Sequence, residues 1–260
     1  LRLTETGGRL EDVTRIWEQS QKVPGNGHYG HRLAIAPDGN LIITSSERQK
    51  FSPAQNMALN LGKIIRVTTD GEPLEDNPFY GNGVVADTVW TLGHRNMLGI
   101  AFDGQGRLWA HEMGPRGGDE LNRIVAGENY GWPLATYGYE YRGPRVSPHT
   151  SLPGMKDPLV VWTPSIAASG LAFYTGDKFP EWQGDLFAGG LVLRQVRRVI
   201  MDGEEVVGHE NMQFNERIRD VRQGPDGFLY VLTDERNGKL IRVEPSESSA
   251  TDDGGPSDEE

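Results

Sequence analysis

The chain has 260 residues, enough for one large all-β domain or two domains of average size. Its net charge of −11 and pI near 5.1 argue against nucleic acid as a partner, because phosphate binding requires a basic surface. No stretch approaches the roughly 20 apolar residues of a membrane-spanning helix, and the lack of cysteine excludes disulfides and thiolate metal sites.

Short apolar runs separated by Gly, Pro, Asn and Asp predict an all-β fold. Four hairpin units begin near residues 28, 95, 169 and 217. Residues 32–44, 98–110 and 219–232 each place an Asp-Gly pair between two apolar runs, which is the strongest short-range hairpin signal. Residues 170–188 form a looser copy with a longer turn.

A third strand follows three of the hairpins. Residues 62–67 and 238–243 are nearly identical in sequence, and residues 121–125 occupy the same place after the second hairpin. This repeat of a hairpin with an outer strand is typical of β-propeller blades and favours a propeller over a β-sandwich. Only residues 53–61 and 119–124 have short helical patterns.

The chain is predicted to divide into a propeller domain, residues 1–245, and an acidic tail, residues 246–260. The tail contains Ser, Gly, Pro and six acidic residues, a composition typical of disorder without a function of its own.

Three further stretches indicate a function: GHRNMLGIAF at residues 93–102, EMGPRGGDELN at 112–122 with ENYGWP at 128–133, and RIRDV at 217–221. In this order they resemble the soluble aldose (glucose/sorbosone-type) dehydrogenases, which use pyrroloquinoline quinone (PQQ) and Ca²⁺. The resemblance covers about residues 1–243. It implies a six-bladed propeller, of which this chain contains about four to five blades and lacks the N-terminal one to two.

The resemblance implies that the C1 hydroxyl of an aldose is oxidised to a lactone by hydride transfer to PQQ. His28 matches the family's general base, and a neutral imidazole suits removal of a hydroxyl proton near neutral pH. Arg95 and Asn96 match the pair at the quinone oxygens, where a guanidinium stabilises the arriving negative charge. The plainer interpretations are a loop histidine and a turn Asn beside an exposed Arg.

Four more residues match, or stand in for, cofactor contacts of the family. Arg217 and Arg219 match the pair that clamps the PQQ carboxylates, and alternation along a strand places both on one face. Trp162 matches an aromatic residue that lines the cleft, with core packing as the plainer interpretation. Val192 stands where the family has a lysine, and Arg194, on the same strand face, is expected to substitute for it.

The predicted metal site is a loop. Gly114 and Pro115 match positions whose main-chain carbonyls hold the catalytic Ca²⁺, which readily takes carbonyl ligands. Asp119 and Glu120 are expected to shape this loop, to bind a second, structural Ca²⁺, or to be plain solvated acids. Met113 stands where the family has Gln or His, which weakens the predicted cofactor contacts.

Two other functions stay open at this level. A propeller lactonase or esterase would bind Ca²⁺ through several acids at the axis, but His28, Arg95 and Arg217 stand at the hairpin starts and favour an anionic cofactor. A non-catalytic binding propeller, degenerated from the dehydrogenase, is consistent with Val192 and Met113. The resemblance also implies an aldose substrate, an external electron acceptor and a periplasmic or extracellular location.

Overall fold

Seventeen short strands and three single-turn 3-10 helices form the described part of the chain, residues 2–3, 10–11 and 14–246 of the computed structural model. The strands are β1 (Arg2–Leu3), β2 (Leu10–Glu11), β3 (Leu33–Ile35), β4 (Leu41–Ser45), β5 (Lys63–Val67), β6 (Val89–Leu92), β7 (Met97–Phe102), β8 (Leu108–Glu112), β9 (Asp119–Ile124), β10 (Val160–Trp162), β11 (Ala168–Phe173), β12 (Leu186–Gly190), β13 (Gln195–Asp202), β14 (Glu205–Gln213), β15 (Ile218–Gln223), β16 (Leu229–Thr233) and β17 (Leu240–Val243). The 3-10 helices are Ser52–Gln55, Ala86–Thr88 and Pro180–Trp182. Residues 247–260, nearly all of the predicted acidic tail, lie outside the described residues.

The strands pair as consecutive antiparallel sheets. The first blade is β3–β6, the second β7–β10, the third β11–β14 and the three-stranded fourth β15–β17, beside a small ribbon of β1 and β2. Within each blade the strands are joined in chain order, so the predicted all-β propeller is confirmed. Among the described residues, no helix is long and apolar enough to cross a membrane.

The Asp-Gly turns close three of the four hairpins in the same way. In each, the aspartate carboxylate accepts a hydrogen bond from the backbone N–H two residues later: Asp38 from Asn40, Asp103 from Gln105 and Asp226 from Phe228. This side-chain turn lets the chain reverse within a few residues. The sequence signal for the hairpins therefore rests on a local interaction.

Both predicted helical segments are wrong. Residues 119–124 form β9, because β8 and β10 on either side supply its hydrogen bonds. Only Ser52–Gln55 in the other segment is helical, as a single 3-10 turn. The buried ammonium of Lys63 donates to the carbonyls of Pro53, Ala54 and Leu61 at 2.8, 3.0 and 2.9 Å, which holds this segment as an irregular loop.

The hydrophobic core lies between the blades. One cluster joins the first and second blades, a second joins the second and third, and a third joins the third and fourth. Representative side chains are Ile42 and Ile64 against Met97 and Leu108, Trp109 and Leu121 against Leu171 and Leu186, and Phe187 and Val196 against Val221 and Val231. Each blade therefore depends on its neighbour for burial of an apolar face.

A salt bridge links the first and last blades near the inner strands. Arg32 Nη1 donates to Asp220 Oδ2 at 2.9 Å, although 188 residues separate the two. The fully buried His111 of β8 is near this pair; its Nε2 donates to the Gly170 carbonyl at 3.2 Å, while its Nδ1 has no partner. Burial lowers the pKa of His111 to about 4.

We expect acid to destabilise the protein partly through His111. Between pH 6.5 and about 4 the unfolded chain binds a proton at this residue and the folded chain does not, so stability falls as the pH falls through this window. A pKa difference of this size contributes about 3 kcal/mol. Urea unfolding of the wild type and of His111→Gln at several pH values measures it. Equal pH dependence of the two proteins would contradict the assignment.

Candidate active site

Most of the predicted site residues meet at one end of the blades. This end carries the segments that lead into the inner strands and the loops between the second and third strands. The segments are residues 27–32, 46–51, 93–96, 113–118, 163–167, 191–194, 214–217 and 234–239. We call this end the site face. The Asp-Gly turns lie at the opposite end, because consecutive antiparallel strands run in opposite directions.

His28 lies at the site face with 9% of its side chain exposed, and its Nδ1 hydrogen-bonds to the carboxylate of the fully buried Glu47. Glu47 also accepts hydrogen bonds from the backbone N–H groups of Gln49, Lys50 and Phe51. Burial by itself would raise the pKa of Glu47, but the hydrogen bonds from His28 and the backbone hold it below its usual value. The ionised carboxylate therefore keeps the proton of a neutral His28 on Nδ1 and leaves Nε2 free to accept one.

The backbone around this pair is strained. His28, Arg48, Gln49 and Phe51 have positive φ angles of 53°, 61°, 58° and 61°. Each such residue costs on the order of 1 kcal/mol or more, so the surrounding contacts must hold it in place. Here the strained turn directs successive N–H groups at the Glu47 carboxylate. Sequence analysis missed Glu47, because only the fold brings residue 47 next to residue 28.

Arg95 and Asn96 are buried beside the 113–118 loop. Arg95 Nη1 donates to the Met113 carbonyl at 2.6 Å, while its Nε is buried and has no hydrogen-bond partner among the described residues. The guanidinium lies 5.1 Å from the ring centroid of Trp132. Asn96 Oδ1 accepts the N–H of Gly30 at 3.3 Å, so its carbonyl group ties the 93–96 segment to the 27–32 segment.

Gly114 and Pro115 follow β8, and their carbonyl oxygens accept no hydrogen bond from any described residue. Asp119 holds the loop from below: it accepts the Gly114 N–H at 2.9 Å, the Ser165 hydroxyl at 2.7 Å and the Ala168 N–H at 3.3 Å. Burial raises the pKa of Asp119 against these hydrogen bonds. Its contacts are those of a residue that shapes the loop, one of the roles expected from the sequence.

Glu120 is buried directly opposite Glu112 on the neighbouring strand. Burial, and then the charge of Glu112, raise the pKa of Glu120 well above its usual value. Both carboxylates line a small cavity with Arg95, Gly114 and Trp132. Within the part of the chain that the structure describes, no three His, Asp or Glu side chains are grouped to hold a metal, so a second Ca²⁺ at Glu120 remains a prediction.

Arg217 and Arg219 bind the same carboxylate. Arg217 Nε and Nη2 each lie 3.0 Å from Asp234 Oδ2, and Arg219 Nε lies 3.1 Å from Asp234 Oδ1. Both side chains therefore reach one carboxylate, although Arg217 precedes β15 and the pairing of β15 with β16 is irregular between Ile218 and Asp220. The Nη1 group of each has no partner among the described residues and stays available as a donor.

Arg194, expected to substitute for the family lysine, does not lie on a strand. Strand β12 ends at Gly190, and residues 191–194 form a turn with Arg194 at a φ of 55°. The idea that Val192 and Arg194 share a strand face is therefore wrong, because the chain reverses direction there. Val192 is 60% exposed, and Arg194 donates to the Asn215 carbonyl at 3.3 Å.

Trp162 lies on β10 with its ring in the hydrophobic cluster between the second and third blades, 3% exposed. The guanidinium of Arg197 lies 5.8 Å from its ring centroid, and its Nε1 has no hydrogen-bond partner. Core packing, the plainer interpretation, describes its position. A contact with a cofactor remains a prediction.

Comparison with known proteins identifies the family of this chain. Residues 1–242 match the family model described as Glucose / Sorbosone dehydrogenase. The chain belongs to the glucose/sorbosone dehydrogenase family. An aldose sugar dehydrogenase of Escherichia coli is 40% identical over 249 residues, which cover 94% of this chain and 67% of that protein.

An uncharacterised protein of Synechocystis sp. is 46% identical over 254 residues, which cover 92% of this chain and 61% of that protein. The chain thus spans about three fifths of the length of this relative.

Two solved structures of the family are similar. The apo form of the Escherichia coli aldose sugar dehydrogenase superposes with a TM-score of 0.90 at 40% identity, covering 94% of this chain and 72% of that one. The PQQ-bound form of an aldose sugar dehydrogenase from Streptomyces coelicolor superposes with a TM-score of 0.67 at 30% identity, covering 84% and 61%.

In this family member we expect Gly114→Ala to be destabilising. A Cβ at position 114 would lie 2.2 Å from the Gly117 carbonyl oxygen and 2.4 Å from that of Gly118, so the loop would have to move. Such crowding costs about 1–3 kcal/mol. The control is Gly104→Ala in a hairpin turn, where a Cβ meets nothing within 4 Å. Thermal unfolding of both variants measures the difference, and equal melting temperatures would contradict the crowding.

Proposed function

We propose that this protein oxidises the C1 hydroxyl of aldoses to lactones, with PQQ as the hydride acceptor and Ca²⁺ at the 114–115 loop. The observation that carries the proposal is the His28–Glu47 pair, which lies at the same face as Arg95, Arg217 and Arg219. A base fixed by a buried carboxylate, beside several guanidinium groups, suits proton removal next to an anionic cofactor. The family and the printed names of its relatives support it.

His28 would act through Nε2. Its Nδ1 is occupied by Glu47, so Nε2 is the nitrogen that can take the proton of the C1 hydroxyl. The imidazolium formed by that transfer would be stabilised by the negative charge of Glu47, which a neutral partner would not provide. Positioned bases of this kind contribute about 10²–10⁴ in rate.

The site residues fit PQQ, a planar tricarboxylate o-quinone, which when bound would supply the two-electron acceptor. Arg217 and Arg219 are held by Asp234 and keep their Nη1 groups for the cofactor carboxylates. Arg95 has a buried Nε without a partner, a donor that a quinone oxygen would satisfy. Asn96 and Arg194 are proposed as further contacts at the same face, and Trp162 as packing beneath it.

The 114–115 loop fits Ca²⁺ through its main chain. The two carbonyl oxygens lack hydrogen-bond partners among the described residues, and Ca²⁺ accepts such ligands. Asp119 would fix the loop from below rather than bind the ion, because its oxygens are already occupied by Gly114, Ser165 and Ala168. Bound Ca²⁺ would supply positive charge next to the developing negative charge.

An external electron acceptor and a periplasmic or extracellular location are part of this proposal. The alternative of a non-catalytic binding propeller is supported by Val192. Its exposed apolar side chain offers no hydrogen-bond donor where the family has lysine. The lactonase alternative needs several acids around one metal, and the described residues contain no such group of three.

We expect purified protein to bind PQQ in the presence of Ca²⁺ and then to reduce a redox dye when an aldose is added. His28→Ala should lower kcat by about 10²–10⁴ while leaving PQQ affinity close to that of the wild type. The control is His209→Ala, since His209 is an exposed histidine on the outer strand β14. Cofactor titration by absorbance and steady-state kinetics measure both quantities.

Full turnover by His28→Ala would overturn the role of His28. Failure of the wild type to bind PQQ would overturn the dehydrogenase proposal for this chain. Lactone hydrolysis by the wild type without PQQ would support the lactonase in its place.

Glu47→Gln tests the carboxylate separately. Glutamine keeps the size of the side chain but not its charge, so we expect kcat to fall by about tenfold or more while KM for the aldose changes little. Glu47→Asp should recover part of the loss, because the charge is restored. An equal loss in both variants, with a lower melting temperature, would assign Glu47 a purely structural role.

A further inference from the structure

The arginines of the described residues are unevenly paired. Of the 18 arginines in residues 14–246, ten lie within salt-bridge distance of a described carboxylate and eight do not. The eight are Arg48, Arg95, Arg116, Arg142, Arg145, Arg194, Arg197 and Arg236. All eight lie on the site face or directly beside it. Within residues 14–246 of a chain with a net charge of −11, the arginines without a carboxylate partner are therefore gathered at one end.

Two of these arginines contact Tyr139, and a third, Arg142, lies close to them in the chain. The guanidinium groups of Arg116 and Arg145 lie 5.6 and 5.4 Å from the Tyr139 ring centroid, and Arg145 Nε donates to its hydroxyl at 3.1 Å. Arg142 lies in the same short hairpin, in which Tyr139 pairs with Arg145 and with Arg116. Arg116, Tyr139, Tyr141, Arg142 and Arg145 together are the arginine–tyrosine patch.

The patch is accessible and almost free of acids. Its three arginines are exposed, and Tyr141 is 61% exposed. Glu140 is the acidic residue of the hairpin, and it forms no salt bridge with the arginines. The guanidinium groups are instead ordered by the tyrosine ring and by the Gly143 carbonyl, which accepts from Arg116 Nη2 at 3.5 Å.

The patch borders the proposed cofactor site. Arg116 directly follows Pro115, and its backbone pairs with Tyr139. A Cβ on Gly138 would lie 2.4 Å from Pro115 Cδ, so the hairpin packs closely on the 114–115 loop. A partner docked on the patch would be next to the place where electrons arrive.

We propose that the arginine–tyrosine patch docks an acidic redox protein that serves as the electron acceptor, an inference that rests on the proposed function. Oxidation of an aldose to its lactone releases two electrons and two protons. Two molecules of a one-electron redox protein then take up one electron each, and the protons pass to water. The proposed electron acceptor is therefore an acidic one-electron redox protein.

The composition of the patch favours a protein over a small ion. Arginine and tyrosine are enriched in protein–protein interfaces and supply many of their strongest contacts. Unpaired positive charge on an otherwise acidic protein steers an acidic partner to this face and repels it from the others. Because these arginines have no carboxylate partner among the described residues, docking breaks none of the salt bridges that the structure describes.

Association with an acidic c-type cytochrome, used as the probe, tests the proposal. We expect the association rate constant to fall steeply between about 10 mM and about 150 mM ionic strength. The triple variant R116Q/R142Q/R145Q should lower it by about tenfold or more at the lower ionic strength. The control K178Q/R222Q/R242Q removes the same charge from partly exposed residues at the opposite end of the blades and should remain close to the wild type. Stopped-flow or surface-binding kinetics give the constants.

Equal behaviour of the two triple variants would overturn the proposal, because net charge alone would then explain the effect. Absence of any association by the wild type would also overturn it. An unchanged cytochrome association with a raised KM for glucuronate would make the patch an anionic-sugar subsite instead. Turnover with benzoquinone, an uncharged acceptor, tests the proposed function separately. If this turnover is absent, the dehydrogenase proposal fails, and the association constants still decide whether the patch binds the cytochrome.

Discussion

Buried carboxylates hold the loops of the candidate site. Glu47 accepts N–H groups of the 47–51 turn, Glu112 accepts the N–H of Arg95, and Asp119 accepts the N–H of Gly114. Each lies at or just beyond a strand end, where the blade packing has excluded water, so each hydrogen bond to an anion is stronger than it would be in solution. The positions of His28, Arg95 and the 114–115 carbonyls all depend on these three contacts.

The same arrangement separates the buried carboxylates from the guanidinium groups at the site face. The carboxylates of Glu47, Glu112 and Asp119 are buried beneath the site face and accept backbone N–H groups, whereas Arg217 and Arg219 at this face each keep an Nη1 group without a partner among the described residues. A chain with a net charge of −11 can in this way carry guanidinium groups without a described carboxylate partner, and so local positive charge, at the site face. A potential of that sign attracts anions selectively, whether they are a bound tricarboxylate or the surface of a protein partner.

The fold was predictable where its signals are local. The Asp-Gly turns at residues 38–39, 103–104 and 226–227 each close through a hydrogen bond to a residue two positions away, so three of the four hairpins could be predicted from local sequence. Residues 119–124 misled because their helical pattern was overruled by pairing with β8 and β10, which are partners that a local pattern does not contain. The expected strand position of Arg194 was wrong for a similar reason. Strand β12 ends at Gly190 because of its pairing within the blade, which the residues of the strand alone do not indicate.

The sequence by itself determined the all-β repeat, the family, and the residue types that converge on one face, because turn chemistry and motif spacing are encoded in neighbouring residues. Only the tertiary structure decided that Glu47 is the partner of His28, that Asp234 holds Arg217 and Arg219 together, and that Trp162 packs in the core. It also decided which arginines remain without a carboxylate. These contacts join residues that are distant in sequence or lie on different blades, and the free energy that brings them together comes from burying the apolar face of each blade against its neighbour.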